Sequence, residues 1–173
     1  MAGSLEFITS ASGTSVSSLS VTDCFSANYD VYFVTVKGLD STNDGDVEMR
    51  FIDSGGSVIT ASEYDCAFLQ LKSNASFVEV RRTNIDGIEN IGVSNADDYG
   101  AGNATYIFNP NDSSSYTFVT SQSAGWRQAD SSMRGHKVIA VHKSAEQITG
   151  LNIFQESGLN LTLTISVYGL ASN

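Results

Sequence analysis

Near its end the chain reads Leu159-Asn-Leu-Thr-Leu-Thr-Ile-Ser-Val167, and this alternation of apolar and polar residues decides the fold class. Successive side chains of a β-strand point to opposite sides of the sheet, so a period of two gives the strand one apolar and one polar face. The segment therefore predicts a half-buried strand whose leucine side packs against a hydrophobic core.

Similar patterns recur along the rest of the chain. The further predicted strands are Tyr29–Val36, Val47–Ile52, Tyr64–Leu71, Phe77–Arg81, Ala104–Phe108, Tyr116–Thr120, Lys137–His142 and Leu151–Phe154, with a first strand around Leu5 and Phe7 and a weaker one over Thr14–Val21.

Turn-forming residues separate these segments. Gly, Asn and Asp are frequent in Asp40–Asp46, Asp53–Gly56 and Asn109–Ser115, where they favour tight turns. Many short strands between turn signals are typical of a sandwich or barrel. We therefore expect an all-β protein that forms a single antiparallel jelly-roll-like β-sandwich domain over residues 1–173, with almost no helix. The stretch Asn84–Asn103 lacks a clear period and is expected to be a long loop.

Composition narrows the class of function. Hydrophobic residues make up 41% of the 173 residues, which is enough for an ordinary core. The net charge is -10, and the basic residues do not form the positive stripe that nucleic-acid binding requires. No apolar run has the length of a membrane-spanning helix, and the first residues lack the pattern of a signal peptide. We therefore expect no nucleic-acid partner and no insertion into a membrane.

The residue types that support catalysis show no recognisable arrangement. His136 and His142 lack a nucleophile motif nearby, and no Cys/His pair has the spacing of a zinc site. His142 alternates with Val141 and is expected to point to solvent, while His136 is expected to have a solvated or structural role. Cys24 and Cys66 are expected to be free thiols that act as small buried hydrophobes. The expectation is that the chain is not an enzyme.

One acidic turn offers oxygen ligands of the kind that calcium prefers. Asp40, Asp44 and Asp46 lie around Gly45, but their spacing is not that of an EF-hand. Weak calcium binding is therefore one interpretation, and an ordinary acidic hairpin turn is the other. We expect no other cofactor.

The chain has one tryptophan, in a polar stretch that contains glycine. An exposed Trp126 with Arg127 beside it would suit an interface anchor, since these residue types are frequent at the centres of protein interfaces. The alternative is that Trp126 is buried inside the sandwich.

Five segments resemble, in order, the small virion structural proteins of tailed phages, of the tail-fibre or decoration type common in marine phages. They are Ala27–Lys37, Val47–Gly56, Ala101–Asn111, Ala145–Phe154 and Leu159–Leu170, and the last ends in Val-Tyr-Gly-Leu where the family has a Leu-Tyr-Gly-Ile-like ending. The two cysteines and the Asn84–Asn103 stretch depart from that pattern. The resemblance implies a jelly-roll-like sandwich within a virion assembled in the bacterial cytoplasm, and it supplies no catalytic residues.

Three interpretations of function follow from the resemblance and the composition. The first is a non-enzymatic structural component of a tailed-phage virion, most simply a tail-fibre or appendage subunit. The second is a capsid decoration (cement) protein, and the third is a carbohydrate-binding module that attaches to a host surface glycan. A hydrolase is a further alternative, which would require paired carboxylates in a cleft. Expected partners are other virion proteins and further copies of the chain.

One segment of the sequence gives a separate reason to expect self-association. Residues Tyr29–Val36 are apolar on both faces, so one face must be covered by a loop, by further strands or by another subunit. The trimer is an inference from the family resemblance, because fibres and decoration proteins are often three-fold.

Overall fold

The computed structural model describes residues 4–42, 45–94, 100–155, 158 and 160–171. One short 3-10 turn lies at Gln128–Asp130, and the described residues contain no helix that is long and apolar enough to cross a membrane. The strands in the described part of the chain are β1 Leu5–Val16, β2 Ser18–Val21, β3 Val31–Ser41, β4 Gly45–Asp53, β5 Tyr64–Lys72, β6 Val78–Ile85, β7 Ile88–Ser94, β8 Gly102–Phe108, β9 Thr117–Arg127, β10 Ser132–His142, β11 Ile148–Gln155 and β12 Leu161–Leu170.

The strands form two antiparallel sheets of unequal size. Within the described residues, the larger sheet has eight strands in the order β1-β12-β3-β8-β9-β10-β5-β6, and the smaller has four in the order β2-β11-β4-β7. Every strand pair is antiparallel, as hairpin-rich sandwiches require. The prediction of an all-β, two-sheet sandwich is confirmed, and the jelly-roll arrangement in particular stays a prediction.

The hydrophobic core lies between the two sheets. On β12 the buried side chains are those of Leu161, Leu163, Ile165 and Val167, so the predicted leucine face is confirmed for the described part of that segment. Leu159, with which the predicted strand began, lies outside the described residues. From the smaller sheet, Phe51, Leu151 and Ile153 join the same core. Each such side chain stabilises the fold by about 1.5–3 kcal/mol through burial.

Strand β3 lies in the interior of the larger sheet, between β12 and β8. Tyr32, Val34 and Val36 point into the core and are almost fully buried. Val31 and Phe33 point to the opposite side of the sheet and are only partly buried. The expectation that this segment is apolar on both faces is therefore met, and its second face lies on the outside of the sandwich.

The stretch Asn84–Asn103 is not a continuous loop, which corrects the expectation from sequence. It contains β7, which pairs with β4 at the edge of the smaller sheet and packs Ile88, Ile91 and Val93 inward. A register shift interrupts that pairing, and Asn90 has a positive φ of 61°. Such an irregularity breaks the period of two, which explains why the alternation is not visible in the sequence. Within this stretch β7 belongs to the smaller sheet, whereas its two ends are part of β6 and β8 of the larger sheet, so β7 does not cover the outer side of Phe33.

Candidate functional site

The outward side of the larger sheet, here called the outer face, carries one continuous row of side chains across all of its strands. Antiparallel register aligns one residue from each neighbouring strand, so that residues distant in sequence become lateral neighbours. From the β1 edge to the β6 edge the row consists of Phe7, Tyr168, Phe33, Tyr106, Thr120, Ile139, Ala67 and Arg81.

Four of these residues are aromatic and lie on consecutive strands. The ring centroids of Phe7 and Tyr168 are 5.6 Å apart, those of Tyr168 and Phe33 are 6.2 Å apart, and those of Phe33 and Tyr106 are 4.9 Å apart. The planes of successive rings are inclined by 68°, 40° and 41°. The rings therefore pack against each other at an angle, and they do not share one plane.

The outer face is apolar and largely open to solvent. Phe7 is 61% exposed, Tyr106 is 42% exposed and Ile139 is 64% exposed. Phe118, also exposed, lies on the same side of β9 as Thr120. A continuous apolar surface of this kind marks a site of interaction more often than chance exposure does.

Charged residues are sparse on this face. The five strands from β1 to β9 contribute no charged residue to the row. The next row across the same five strands is Ser10, Ser166, Thr35, Ala104 and Gln122, which is also uncharged. The chain has a net charge of -10, and these two rows across five strands add no like-charge repulsion between two copies that meet there.

Trp126 and Arg127 do not form a joint anchor, because consecutive strand residues point to opposite faces. Trp126 is 38% exposed on the outer side of β9, beside Met133 of β10. Arg127 points the other way and acts electrostatically on Asp46 of the smaller sheet. The interface role of Trp126 stays a prediction, and Arg127 belongs to the interior side of the sheet.

The acidic turn of the calcium hypothesis is only partly described. Asp44 lies outside the described residues. Asp40 accepts a hydrogen bond on Oδ1 from the backbone N–H of Ser41 at 2.8 Å. The Asp46 carboxyl lies in the field of Arg127, Arg134 and Lys72, and burial is the largest influence on its pKa, which is raised. Calcium binding stays a prediction, and the positive surroundings of Asp46 do not favour it.

Asp46 contributes to a buried polar group between the sheets that also contains Asn90 and His136. With its amide nitrogen directed inward, Asn90 donates hydrogen bonds to His136 Nε2 at 3.2 Å and to Asp46 Oδ2 at 3.0 Å. His136 is fully buried, and its Nε2 also lies 3.2 Å from Gln70 Nε2. An Nε2 that accepts from an amide belongs to a neutral imidazole. Burial, together with Arg134 and Arg127, lowers the pKa of His136 to about 4.

The buried environment of His136 predicts that acid lowers the free energy of unfolding. The folded-state pKa of about 4 lies below the ordinary value of 6.5, so the unfolded state binds more protons between those values, and stability falls as the pH is lowered through that range. The loss attributable to His136 should be on the order of 2–3 kcal/mol between pH 7 and pH 4. Urea unfolding at both pH values would measure it.

A His136→Gln variant provides the control, because its amide oxygen can accept the same hydrogen bond but does not titrate. Asp46, whose raised pKa acts in the opposite direction, and His142, whose lowered pKa acts in the same direction, are present in both proteins. An equal loss of stability in wild type and variant would contradict the assignment to His136.

His142 is buried, which corrects the expectation that it points to solvent. The register of β10 directs Val138, Ala140 and His142 inward, while Ile139 and Val141 point outward. The imidazole packs against the rings of Tyr64 and Phe51, with centroid separations of 4.8 Å and 6.0 Å. Nε2 faces the carboxylates of Glu63 and Glu146, neither of which was singled out from the sequence.

Cys24 and Cys66 are free thiols in the core. Burial raises the pKa of Cys24 to about 12 and that of Cys66 to about 11. Both sulfurs therefore stay protonated at neutral pH and have little nucleophilic character.

Comparison with known proteins identifies no family. No protein-family model matches the chain, and no curated protein matches it. Among solved structures, an E230A fructofuranosidase from Schwanniomyces occidentalis complexed with fructosylnystose is similar with 7% identity and a TM-score of 0.33. The β-fructofuranosidase from the same organism complexed with fructosyl-erythritol gives the same two values. The alignments cover 98% and 97% of this chain but only 34% of either enzyme, so the chain spans about a third of their length.

Proposed function

We propose that this chain is a non-enzymatic structural component of a tailed-phage virion, a tail-fibre or appendage subunit that packs against further copies of itself through the outer face. The resemblance of the five segments to small virion structural proteins supports the virion part of the proposal. The apolar row of the outer face is the observation that carries the assembly part.

A second copy of this chain is the binding partner that fits the outer face best. A partner that binds through charge would need a complementary charge to meet, and the rows from β1 to β9 offer none. Two acidic copies can bring uncharged faces together with little repulsion, and each then removes exposed rings such as those of Phe7 and Tyr106 from water. The driving force is therefore hydrophobic.

Sedimentation equilibrium of the isolated protein tests the assembly. We expect a closed homo-oligomer at micromolar concentration, and a trimer on the strength of the resemblance. Because the interface is apolar, raising the salt concentration should leave the association constant unchanged or increase it. A monomer at all concentrations that also fails to bind purified phage particles would contradict the proposal.

Carbohydrate binding is the second candidate, because exposed aromatic rings can stack on the apolar faces of sugars. The row that contains Phe33 and Tyr168 favours it. Sugar stacking requires an accessible ring face, and rings inclined at 40–68° to their neighbours present edges as well as faces. A glycan array separates the two candidates: we expect no selective binding, and a glycan whose binding is lost in Tyr106→Ala would favour the second.

A further inference from the structure

A second candidate site lies at the end of β10, on the inward side of the larger sheet and therefore on the opposite side from the outer face. It consists of Glu63, just before β5, His142, the last residue of β10, and Glu146, in the connection from β10 to β11. One ligand atom from each residue lies within 4.8 Å of the other two. We propose that these three side chains bind a divalent transition-metal ion of the zinc type.

The buried imidazole of His142 is the main observation that points to a bound ion. The side chain of His142 is fully buried, and its Nε2 makes no hydrogen bond of good geometry, since Glu63 Oε2 lies 3.4 Å away and acts on the imidazole mainly as a nearby charge. A buried polar atom without a partner destabilises a fold by about 1–3 kcal/mol, so such atoms usually meet a water or an ion. Here Nε2 of His142 is directed at the carboxylates of Glu63 and Glu146, so the three side chains together could serve as the ligands of one ion.

The distances from His142 Nε2 to the two glutamate oxygens match those between ligands of a metal ion better than those of direct hydrogen bonds. Nε2 lies 3.4 Å from Glu63 Oε2 and 3.6 Å from Glu146 Oε1, beyond the usual hydrogen-bond range of about 2.7–3.2 Å. Zinc bonds of about 2.0–2.2 Å to nitrogen and oxygen, at tetrahedral angles, hold neighbouring ligand atoms roughly 3.4 Å apart. The two carboxylate oxygens lie within 4.8 Å of each other, so an ion between the three groups would require the two partly exposed glutamates to draw closer together.

The local charge also favours a cation. Among the described residues, neither Glu63 nor Glu146 pairs with a lysine or arginine. The nearby Lys143 is engaged elsewhere, since its ammonium lies 2.8 Å from Asp65 Oδ1 and 2.7 Å from Asn84 Oδ1.

The backbone holds the three residues in place before any ion binds. The N–H of Lys143 donates to the carbonyl oxygen of Glu63 at 2.8 Å, which ties the start of β5 to the end of β10. The N–H of Ile148 donates to the carbonyl oxygen of Pro110 at 2.8 Å and anchors the segment that carries Glu146. The mixed imidazole and carboxylate set suits zinc, cobalt or manganese more than calcium or magnesium, which prefer oxygen ligands throughout.

Titration of the chelator-treated protein with Zn²⁺ and with Co²⁺ tests the site. We expect one ion per chain, a rise in melting temperature, and visible Co²⁺ bands typical of four- or five-coordination. The side-chain nitrogen resonance of His142, and not that of His136, should shift. Absence of binding to wild type, or binding that leaves His142 unperturbed, would overturn the proposal.

The variant Glu63→Gln/Glu146→Gln replaces two carboxylate ligands by neutral amides at partly exposed positions, so it should fold normally. Its affinity for Zn²⁺ should fall at least about 100-fold, because the loss even of a group that only orients a ligand costs about 10–100-fold. The control variant Glu6→Gln/Glu79→Gln removes the same number of charges from exposed positions on the β1 and β6 edge strands. Equal affinity in the two double variants would overturn the proposal.

Discussion

Leu163→Asp is expected to yield no folded protein. Leu163 lies on β12, between β1 and β3, and is 2% exposed within the core. The substitution removes a buried leucine, which destabilises by about 2–5 kcal/mol, and leaves a carboxylate without a partner in an apolar environment. The sum is comparable to the entire stability of an ordinary domain, about 5–15 kcal/mol. Near-ultraviolet circular dichroism and thermal melting provide the measurement.

The matched control is Thr162→Asp on the same strand. Thr162 is exposed, and its Oγ1 accepts a hydrogen bond from the backbone N–H of Ser15 at 3.2 Å, a role that an aspartate oxygen can fill. This variant should melt within a few degrees of wild type. A cooperative melting transition in Leu163→Asp would show that the inward face of β12 is assigned wrongly.

Tyr106→Glu is expected to dissociate the homo-oligomer that we propose. Tyr106 is the last of the four aromatic residues in the outer-face row and lies near the middle of the sheet, where the register gives it Phe33 and Thr120 as lateral neighbours. Burying a carboxylate there leaves a charge without a partner and adds repulsion between acidic chains, so the dissociation constant should rise at least about 100-fold. Sedimentation velocity of the variant beside wild type would show a shift to monomer.

Tyr116→Glu is the control for this change. Tyr116 precedes β9, has a similar exposure of 46% and lies outside both outer-face rows. Its oligomeric state should match that of wild type. If both variants dissociate alike, or if neither does, the outer face is not where copies meet.

Local patterns predict strands well where one face is buried and the pairing is regular. The alternation at the end of the chain predicts β12 and its buried side, since Leu161, Leu163 and Ile165 all face the core. In β10 both faces are apolar, with Val138 and Ala140 inward and Ile139 and Val141 outward. Periodicity cannot choose between two apolar faces, and this is why His142 was expected at the surface.

The candidate sites depend on contacts that are distant in sequence, and local patterns do not contain them. Phe7, Phe33, Tyr106 and Tyr168 become neighbours only through the register of four strands. Glu63 and Glu146 meet His142 because β5 pairs with β10 and because the chain turns back after β10. A motif search for zinc spacing does not detect a ligand set assembled in this way.

The most direct test of the proposed virion function is mass spectrometry of purified particles of a phage that carries this sequence, together with electron cryomicroscopy of the same particles. If the chain is a virion structural subunit, it should be present in several copies, and density for the two-sheet sandwich should repeat around a symmetry axis. The outer face, including Phe33 and Tyr106, should be covered by a neighbouring copy. Particles that lack the chain, or a map in which that face is open to solvent in every copy, would contradict it.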